Sequence, residues 1–424
     1  MKFSKFGNRL SSDSGILQLM DDLGNAVNTA PGEELYMLGG GNPSHIPEVQ
    51  SILQDELLNI VEDKSSFNNL VGDYDGPQGN ETFIKSLAEM FSSEYGWHID
   101  ESHIAITNGS QSSFGLIFNL LAGDFPDGSN KTIMLPLVPE YIGYGDVGLS
   151  DAPLFTAIKP LIDVGEDGFY KYRVDFDNIN LDDSIGAVCV SRPTNPTGNV
   201  ITDEEVHKLA KLTKAAGIPM IIDGAYGLPF PNIVFSDATP YWDENVILCL
   251  SLSKLGLPAV RTGIVIANPA LIQKLTGANA IFSLAPGSLG PTMMTRLVQN
   301  RKLLDISNNL IRPYYQKQVQ IAVKAVQDSM QDLPVYIHQP EGAIFLWLWF
   351  KDLPIDSDEL YRRLKEKNVL IIAGQHFFPG IEDKDWTHQY ECIRVSYVTD
   401  EETLQKGIQK IGEVVRVAFQ NKEA

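Results

Sequence analysis

Along the middle of the chain, short and wholly apolar runs alternate with segments of helical period. Thr132-Ile-Met-Leu-Pro136, Ala187-Val-Cys-Val-Ser191, Pro219-Met-Ile-Ile-Asp223, Val246-Ile-Leu-Cys-Leu-Ser251 and Gly263-Ile-Val-Ile-Ala267 are too short for helices and show no inside/outside alternation. Such runs predict strands covered on both faces, as in a mainly parallel α/β sheet flanked by helices. One intervening helix carries its own boundary signals: Thr202 is a good N-cap, Glu205 stands at the capping-box position, and Gly217 is a stop. Beyond Ala267 the pattern changes. Pro291 to Met330 predicts one or two long helices, followed by a strand at Ala343 to Phe350, an amphipathic helix at Ser357 to Lys367, two more short strands and a last helix at Glu401 to Gln420. The Trp347/Trp349 alternation predicts a sheet with one bulky face packed inside. This organisation suggests a large domain at about 50–305, with a smaller α+β domain made of 306–424 and the N-terminal segment 1–49.

Length and charge narrow the functional classes. A chain of 424 residues with 43% apolar content buries a core too large for a small binding module. Lys and Arg total 33 against 54 Asp and Glu, a net charge of -21, so an extended nucleic-acid or anionic-membrane surface is not expected. The longest apolar run, Ala343 to Phe350, is far short of the roughly 20 residues a membrane-crossing helix needs. The first residues, through Arg9 and Ser11 to Ser14, form no apolar signal core, and the protein reads as cytoplasmic. The sequons at Asn80, Asn108 and Asn130 then read as chance matches. Cys189, Cys249 and Cys392 are widely spaced, two of them inside strand-like runs, which favours buried thiols over disulfides.

The candidate chemistry begins at a strand end. Ser251-Leu-Ser253-Lys254-Leu-Gly-Leu-Pro-Ala-Val-Arg261 follows the run Val246 to Leu250 directly. A lysine there becomes a nucleophile when desolvation or neighbouring cations disfavour its ammonium form. Arg261 has a fork suited to phosphate oxygens, and Ser251 and Ser253 add neutral donors. Asp223, at the end of another apolar run, could pair with a protonated ring nitrogen, and Tyr226 could bond a ring oxygen. Asn195, in the Pro/Gly-rich turn Arg192-Pro-Thr-Asn-Pro-Thr-Gly198, could donate to the same oxygen. Thr107-Asn-Gly-Ser110-Gln111 opens an apolar helix whose free N–H groups suit a phosphate. Each feature alone is an ordinary strand end, turn or N-cap.

Taken together, these four motifs, in order over about 150 residues, resemble the class I/II aminotransferases of fold type I. The resemblance implies pyridoxal 5′-phosphate as cofactor, carried covalently by Lys254. It also implies that Arg394, in Cys392-Ile-Arg394-Val-Ser-Tyr397, grips a substrate carboxylate. Tyr141 resembles the aromatic that stacks on the cofactor ring, and Tyr74 the tyrosine that reaches the phosphate of a neighbouring subunit, so a homodimer is implied. Gly40 and Gly41 look like the segment that closes over the substrate. Arg261 lies one residue nearer the lysine than is usual in the family. Longer stretches, such as Pro139-Glu-Tyr-Ile-Gly-Tyr144 and Glu341-Gly-Ala-Ile-Phe-Leu-Trp347, are similar to a branch of the family that exchanges the amino group between L-valine and pyruvate. The segment Ile281 to Gly290 contains no cation for a second carboxylate, which favours small apolar amino acids.

Two other features fit no site. Gly143-Tyr-Gly145-Asp-Val-Gly148 matches a dinucleotide-binding pattern but opens no apolar helix. The seven histidines show no close metal-ligand pair, and His376 is expected to shape a loop, so no metal is expected. A β-lyase on the same machinery is the alternative chemistry, because a shared fold does not fix the reaction.

Overall fold

The computed structural model describes residues 1–10 and 34–421. Residues 11–33 of the expected N-terminal segment, including Ser11 to Ser14, lie outside the described residues. The apolar runs form the expected sheet. Its strands lie in the order Ile104–Thr107, Gly263–Ile266, Val246–Ser251, Met220–Asp223, Ile185–Ser191, Asn130–Leu135 and Gly123–Asp124, with Phe155–Ala157 paired to Asn130–Leu135. Neighbours from Val246–Ser251 to Asn130–Leu135 are parallel, whereas Gly263–Ile266 runs antiparallel to both of its partners. The four strands Ile185–Ser191, Met220–Asp223, Val246–Ser251 and Gly263–Ile266 are buried at every position, the two-sided cover that their unbroken apolar character requires.

Strand direction determines where the chemistry collects. Ser191 pairs with Asp223, and Cys249 with Asp223, so Ser191, Asp223 and Ser251 stand together at the carboxyl ends of three adjacent parallel strands. Because Gly263–Ile266 is reversed, its start pairs with Ser251 on one side and Thr107 on the other. Arg261 and the Ser110 helix start therefore reach the same edge, the edge at which open α/β sheets place ligands.

The helix Asp203–Ala216 has the expected ends: Thr202 and Glu205 form a reciprocal capping box, and Gly217 takes the left-handed conformation. The long-helix region divides into Leu289–Gln299 and a continuous run from Lys302 to Ser329. Arg301, at φ 64°, makes the break, and Ser307–Ile311 forms one π-type turn within the run.

A second, six-stranded sheet has the order Ile372–Ala373, Cys392–Ser396, Phe345–Phe350, Val335–His338, Phe169–Arg173 and Leu161–Val164. Two points differ from the expectation. The hairpin Leu161–Arg173, within the span expected for the large domain, pairs with the C-terminal strands through Ile337 and Phe169. The strand Phe345–Phe350 is buried on both faces, not only on the tryptophan side, because Leu346, Leu348 and Phe350 also meet the core.

The N-terminal segment is tied to this second sheet. Tyr36–Met37 pairs with Val369–Leu370, Leu38 N–H donates to Leu370 O at 2.8 Å, and Ser396 N–H donates to Leu38 O at 2.7 Å. Ser44 N–H donates to the Tyr315 hydroxyl at 2.8 Å. These bonds hold Gly39 to Pro43 across the edge where Lys254 and Arg394 lie.

Candidate active site

A cavity of about 710 Å³ opens at this edge. It is lined by Lys254, Ser251, Ser253 and Arg261 from the strand-end loop, and by Asp223, Tyr226 and Asn195 from the neighbouring strand ends. Ser110, Gln111, Tyr141, Gly40, Gly41 and Arg394 complete the set expected from the sequence. Tyr74 is the exception, being 84% exposed on the surface.

The phosphate-type donors sit together. The helix Ser110–Leu121 starts at Gly109 with no side-chain cap, which leaves its first N–H groups free. Gly109 has φ +90°, a conformation that favours glycine, and the Arg261 guanidinium lies against it: a Cβ there would be 2.4 Å from Nη2, so a side chain would have to push the guanidinium aside. Arg261 itself is exposed, and its left-handed conformation (φ 47°) still brings it to the helix start despite the shorter loop. Ser251 and Ser253 hydroxyls lie 3.0 Å apart at the other side of the loop.

Lys254 Nζ donates to Gly41 O at 2.5 Å and stands 5.1 Å from the centre of the Tyr226 ring. Burial, reinforced by the charges of Arg394 and Arg261 and opposed by Asp223, pulls its amine down to about 8. Roughly a tenth of such amines are neutral at pH 7, against about a few in ten thousand for an ordinary lysine.

Asp223 accepts from the Tyr144 hydroxyl at 2.6 Å and from Ala225 N–H at 2.9 Å. Burial pushes its carboxyl up, while these two donors and the Lys254 charge pull it back. Tyr226 is pushed well up by burial, so its phenol keeps its proton as a donor.

Arg394 lies with its guanidinium 4.0 Å from the Phe345 ring centre. It donates through Nη1 to Asn195 Oδ1 and through Nη2 to Gly39 O, each at 2.8 Å. Burial lowers it to about 10, which leaves it charged at neutral pH. Among the described residues its Nε has no partner, nor has Gln111 Oε1, and both are buried. Two unpartnered polar atoms in one cavity mark a place built for a polar ligand.

The Asn195 turn is held by close packing. A Cβ on Gly198, at φ +71°, would lie 2.6 Å from Gly342 O, and one on Gly342 would lie 2.7 Å from Ile233 O. Glu341 closes the same junction by pairing with the buried Lys171 and accepting from Val200 N–H at 3.0 Å.

Sequence reasoning missed several residues. Tyr144, Glu140, Ser191, Phe114 and Pro193 line the cavity or bond to residues that do. Tyr144 falls inside the discarded glycine pattern, and a glutamate in a loop reads as solvated. The segment 281–290 does not line this chain's cavity; instead its Ile281, Phe282 and Leu284 are exposed. His376 lies in the Gly374–Phe377 turn, its Nε2 3.0 Å from Asp358.

Residues 38–411 match the family model "Aminotransferase class I and II". The chain is 47% identical over 419 residues to the valine-pyruvate aminotransferase of Escherichia coli K12, covering 99% of both chains. Among solved structures, a putative amino-acid aminotransferase from Psychrobacter arcticum 273-4 superposes with a TM-score of 0.95 at 48% identity, over 99% of this chain and 100% of that one. The valine-pyruvate aminotransferase of Salmonella typhimurium LT2 does so at 0.87 and 45% identity, over 96% and 99%. The fold is therefore that of the fold-type I enzymes, and with this coverage and a cavity that gathers a strand-end lysine, a paired aspartate and a buried arginine, the chain belongs to the class I and II aminotransferases.

Proposed function

We propose that this enzyme moves an amino group between L-valine and pyruvate, giving 2-oxoisovalerate and L-alanine, with pyridoxal 5′-phosphate attached at Lys254. The observation that carries the reading is the cavity's cation set. Among the described residues its cationic side chains are Lys254, Arg261 and Arg394, and the cofactor, its phosphate and the substrate's α-carboxylate use all three. None is left for a second carboxylate, in keeping with the valine-pyruvate relatives.

The residues present fit the cofactor. The Ser110 helix start, Gln111, Ser251, Ser253 and Arg261 would hold its phosphate, Asp223 its ring nitrogen, Asn195 and Tyr226 its ring oxygen, and Tyr141 its face. When bound, it supplies the carbonyl that accepts the amino group and a ring that withdraws electrons from the substrate's α-carbon. Arg394 orients the amino acid through its carboxylate, and Gly40 and Gly41 cover it. Lys254 Nζ, once free, takes the proton from the α-carbon and returns it in the reverse direction, a task suited to an amine titrating near the working pH. Both half-reactions use one site, so the kinetics are ping-pong. Valine, 2-aminobutyrate and alanine are expected to differ modestly in kcat/KM, because a methylene in an apolar pocket is worth only about 1–3 kcal/mol. Aspartate should be slower by at least about 100-fold, because its second carboxylate meets no cation of this chain's described cavity residues. Steady-state kinetics on these four substrates check this, and fast aspartate turnover would defeat the specificity reading.

The homodimer is part of the same proposal. The helix Lys64–Gly72 buries no residue, and Phe67, Val71 and Tyr74 are exposed beside Leu58 and Val61 of the preceding helix. Asn279 Nδ2 donates to Pro77 O at 2.9 Å, which ties the exposed Ile281 and Phe282 to the Tyr74 turn. An apolar face of this extent calls for a partner, and a second copy would bring Tyr74 to the opposite cavity. Sedimentation should give the mass of two chains, and Tyr74→Phe should weaken cofactor retention by about tenfold, the worth of one charge-assisted hydrogen bond. A monomeric holoenzyme would contradict this. No helix among the described residues is long and apolar enough to cross a membrane.

A further inference from the structure

Beneath the cavity lies a second buried carboxyl that the mechanism does not use. Glu140 is 1% exposed. Its Oε1 accepts from Ser191 N–H at 2.8 Å, its Oε2 is bonded to Ser191 Oγ, and its backbone N–H donates to Phe377 O at 2.8 Å. Ser191 Oγ lies 3.5 Å from the Tyr144 hydroxyl, which donates to Asp223 Oδ2 at 2.6 Å. The titratable groups facing Glu140 are Tyr144 on its own segment, Cys189 on the strand Ile185–Ser191 and Asp223 on the next strand. None of them is a cation.

We propose that Glu140 is a positioning residue whose buried carboxyl proton sets the direction of a hydrogen-bond chain, Glu140 to Ser191 to Tyr144, that ends by donating to Asp223. This rests on the cofactor reading in one respect, that Asp223 is the partner of the ring nitrogen. The chain admits two directions, because hydroxyl hydrogens turn to suit their neighbours. If Glu140 holds the proton, it donates to Ser191 Oγ, Ser191 donates to Tyr144, and Tyr144 donates to Asp223, which is an anion free to accept once more. If Asp223 holds the proton, every bond reverses, the negative charge rests on Glu140, and Asp223 has lost the charge that keeps a ring nitrogen protonated.

The surroundings favour the first direction. The attraction of Lys254 falls on Asp223, together with the Ala225 N–H bond, whereas Glu140 meets no cation among the described residues and feels the repulsion of Asp223. Burial, the largest cause, and that repulsion push Glu140 up to about 8, against the bonds from Ser191 and Tyr141 N–H. Ionisation of Glu140 in mildly alkaline solution would add a second negative charge beside Asp223 and bind the proton on the ring nitrogen more tightly.

Glu140→Gln mimics the protonated acid, since its amide can donate to Ser191 Oγ and accept from Ser191 N–H. In the cofactor-free protein the folded state holds a proton on Glu140 that the unfolded chain has released above about pH 5, so stability falls as pH rises from about 5 to about 8. The wild-type unfolding constant should therefore climb about tenfold more per pH unit than that of E140Q over this window. Lys254 is present in both proteins and cancels from the comparison. Parallel curves would overturn the proposal. Should E140Q fail to fold, the cofactor-free Asp223→Asn variant, whose other buried carboxyl at this edge has been removed, decides: a protonated-carboxyl infrared band at about pH 6 should be present in it and lost at alkaline pH, and its absence at the lower pH overturns the proposal.

In the holoenzyme, the signal of a ¹⁵N-labelled ring nitrogen should shift near pH 8 in wild type but not in E140Q, and an unmoved wild-type signal overturns the coupling to Asp223. Failure of the cofactor to bind, with unfolding curves that diverge as expected, would defeat the cofactor reading and leave the Glu140 proton standing.

Discussion

Lys254→Ala is expected to lower kcat by roughly 10⁴-fold or more, the combined loss of a nucleophile and a positioned general base. Among the described residues the side chain bonds only to the Gly41 carbonyl, so its removal takes away a donor without stranding a buried charge partner other than Asp223. The variant should fold and bind amino acid while failing to release the oxo acid. Added small amines should restore part of the rate, because the missing function is a proton carrier at a known place. Stopped-flow measurement of alanine formation checks both statements. A variant with near-normal turnover would show that another group performs the α-proton transfer.

Arg394→Ala should reduce kcat/KM for valine by about 10²–10⁴-fold, the effect of truncating a buried, hydrogen-bonded charge. Most of the loss should appear as raised KM, because the carboxylate is gripped alike in the ground and transition states. Arg394→Lys should recover little, since one ammonium cannot keep Asn195 and Gly39 and also meet a carboxylate with a planar fork. The same variant leaves a signature in pH. The rate should rise with pH as the Lys254 amine loses its proton; the Arg394 cation helps to depress that amine, so without it the amine should titrate higher and the rise should move to higher pH. A pH profile unchanged by Arg394→Ala would show that the arginine's charge does not reach the Lys254 amine.

What the sequence disclosed, and what it withheld, follows from the range of the interactions involved. The helix Asp203–Ala216 was legible because Thr202, Glu205 and Gly217 state its ends within the segment itself. The strand-end residues Asp223, Ser251 and Lys254 were legible because wholly apolar runs point to a two-sided sheet, whose strand ends are where ligands bind. The hairpin Leu161–Arg173 was not, since its outer partner Ile337 lies far along the chain and no local pattern says which sheet a hairpin joins. Glu140 and Tyr144 escaped notice for a related reason. Their burial comes from packing against Ser191 and Asp223, and nothing in Pro139 to Gly145 distinguishes such a loop from a solvated one. Tyr74 was legible only as a resemblance to a residue that acts in a second subunit, and one chain leaves it exposed.

Central to this mechanism is the passage of nitrogen from valine to pyruvate through a single site. Incubating the purified holoenzyme with ¹⁵N-valine and pyruvate, and reading the alanine by mass spectrometry, tests it directly. The expected result is ¹⁵N-alanine formed one-for-one with 2-oxoisovalerate. Release of ammonia, or alanine without label, would contradict it.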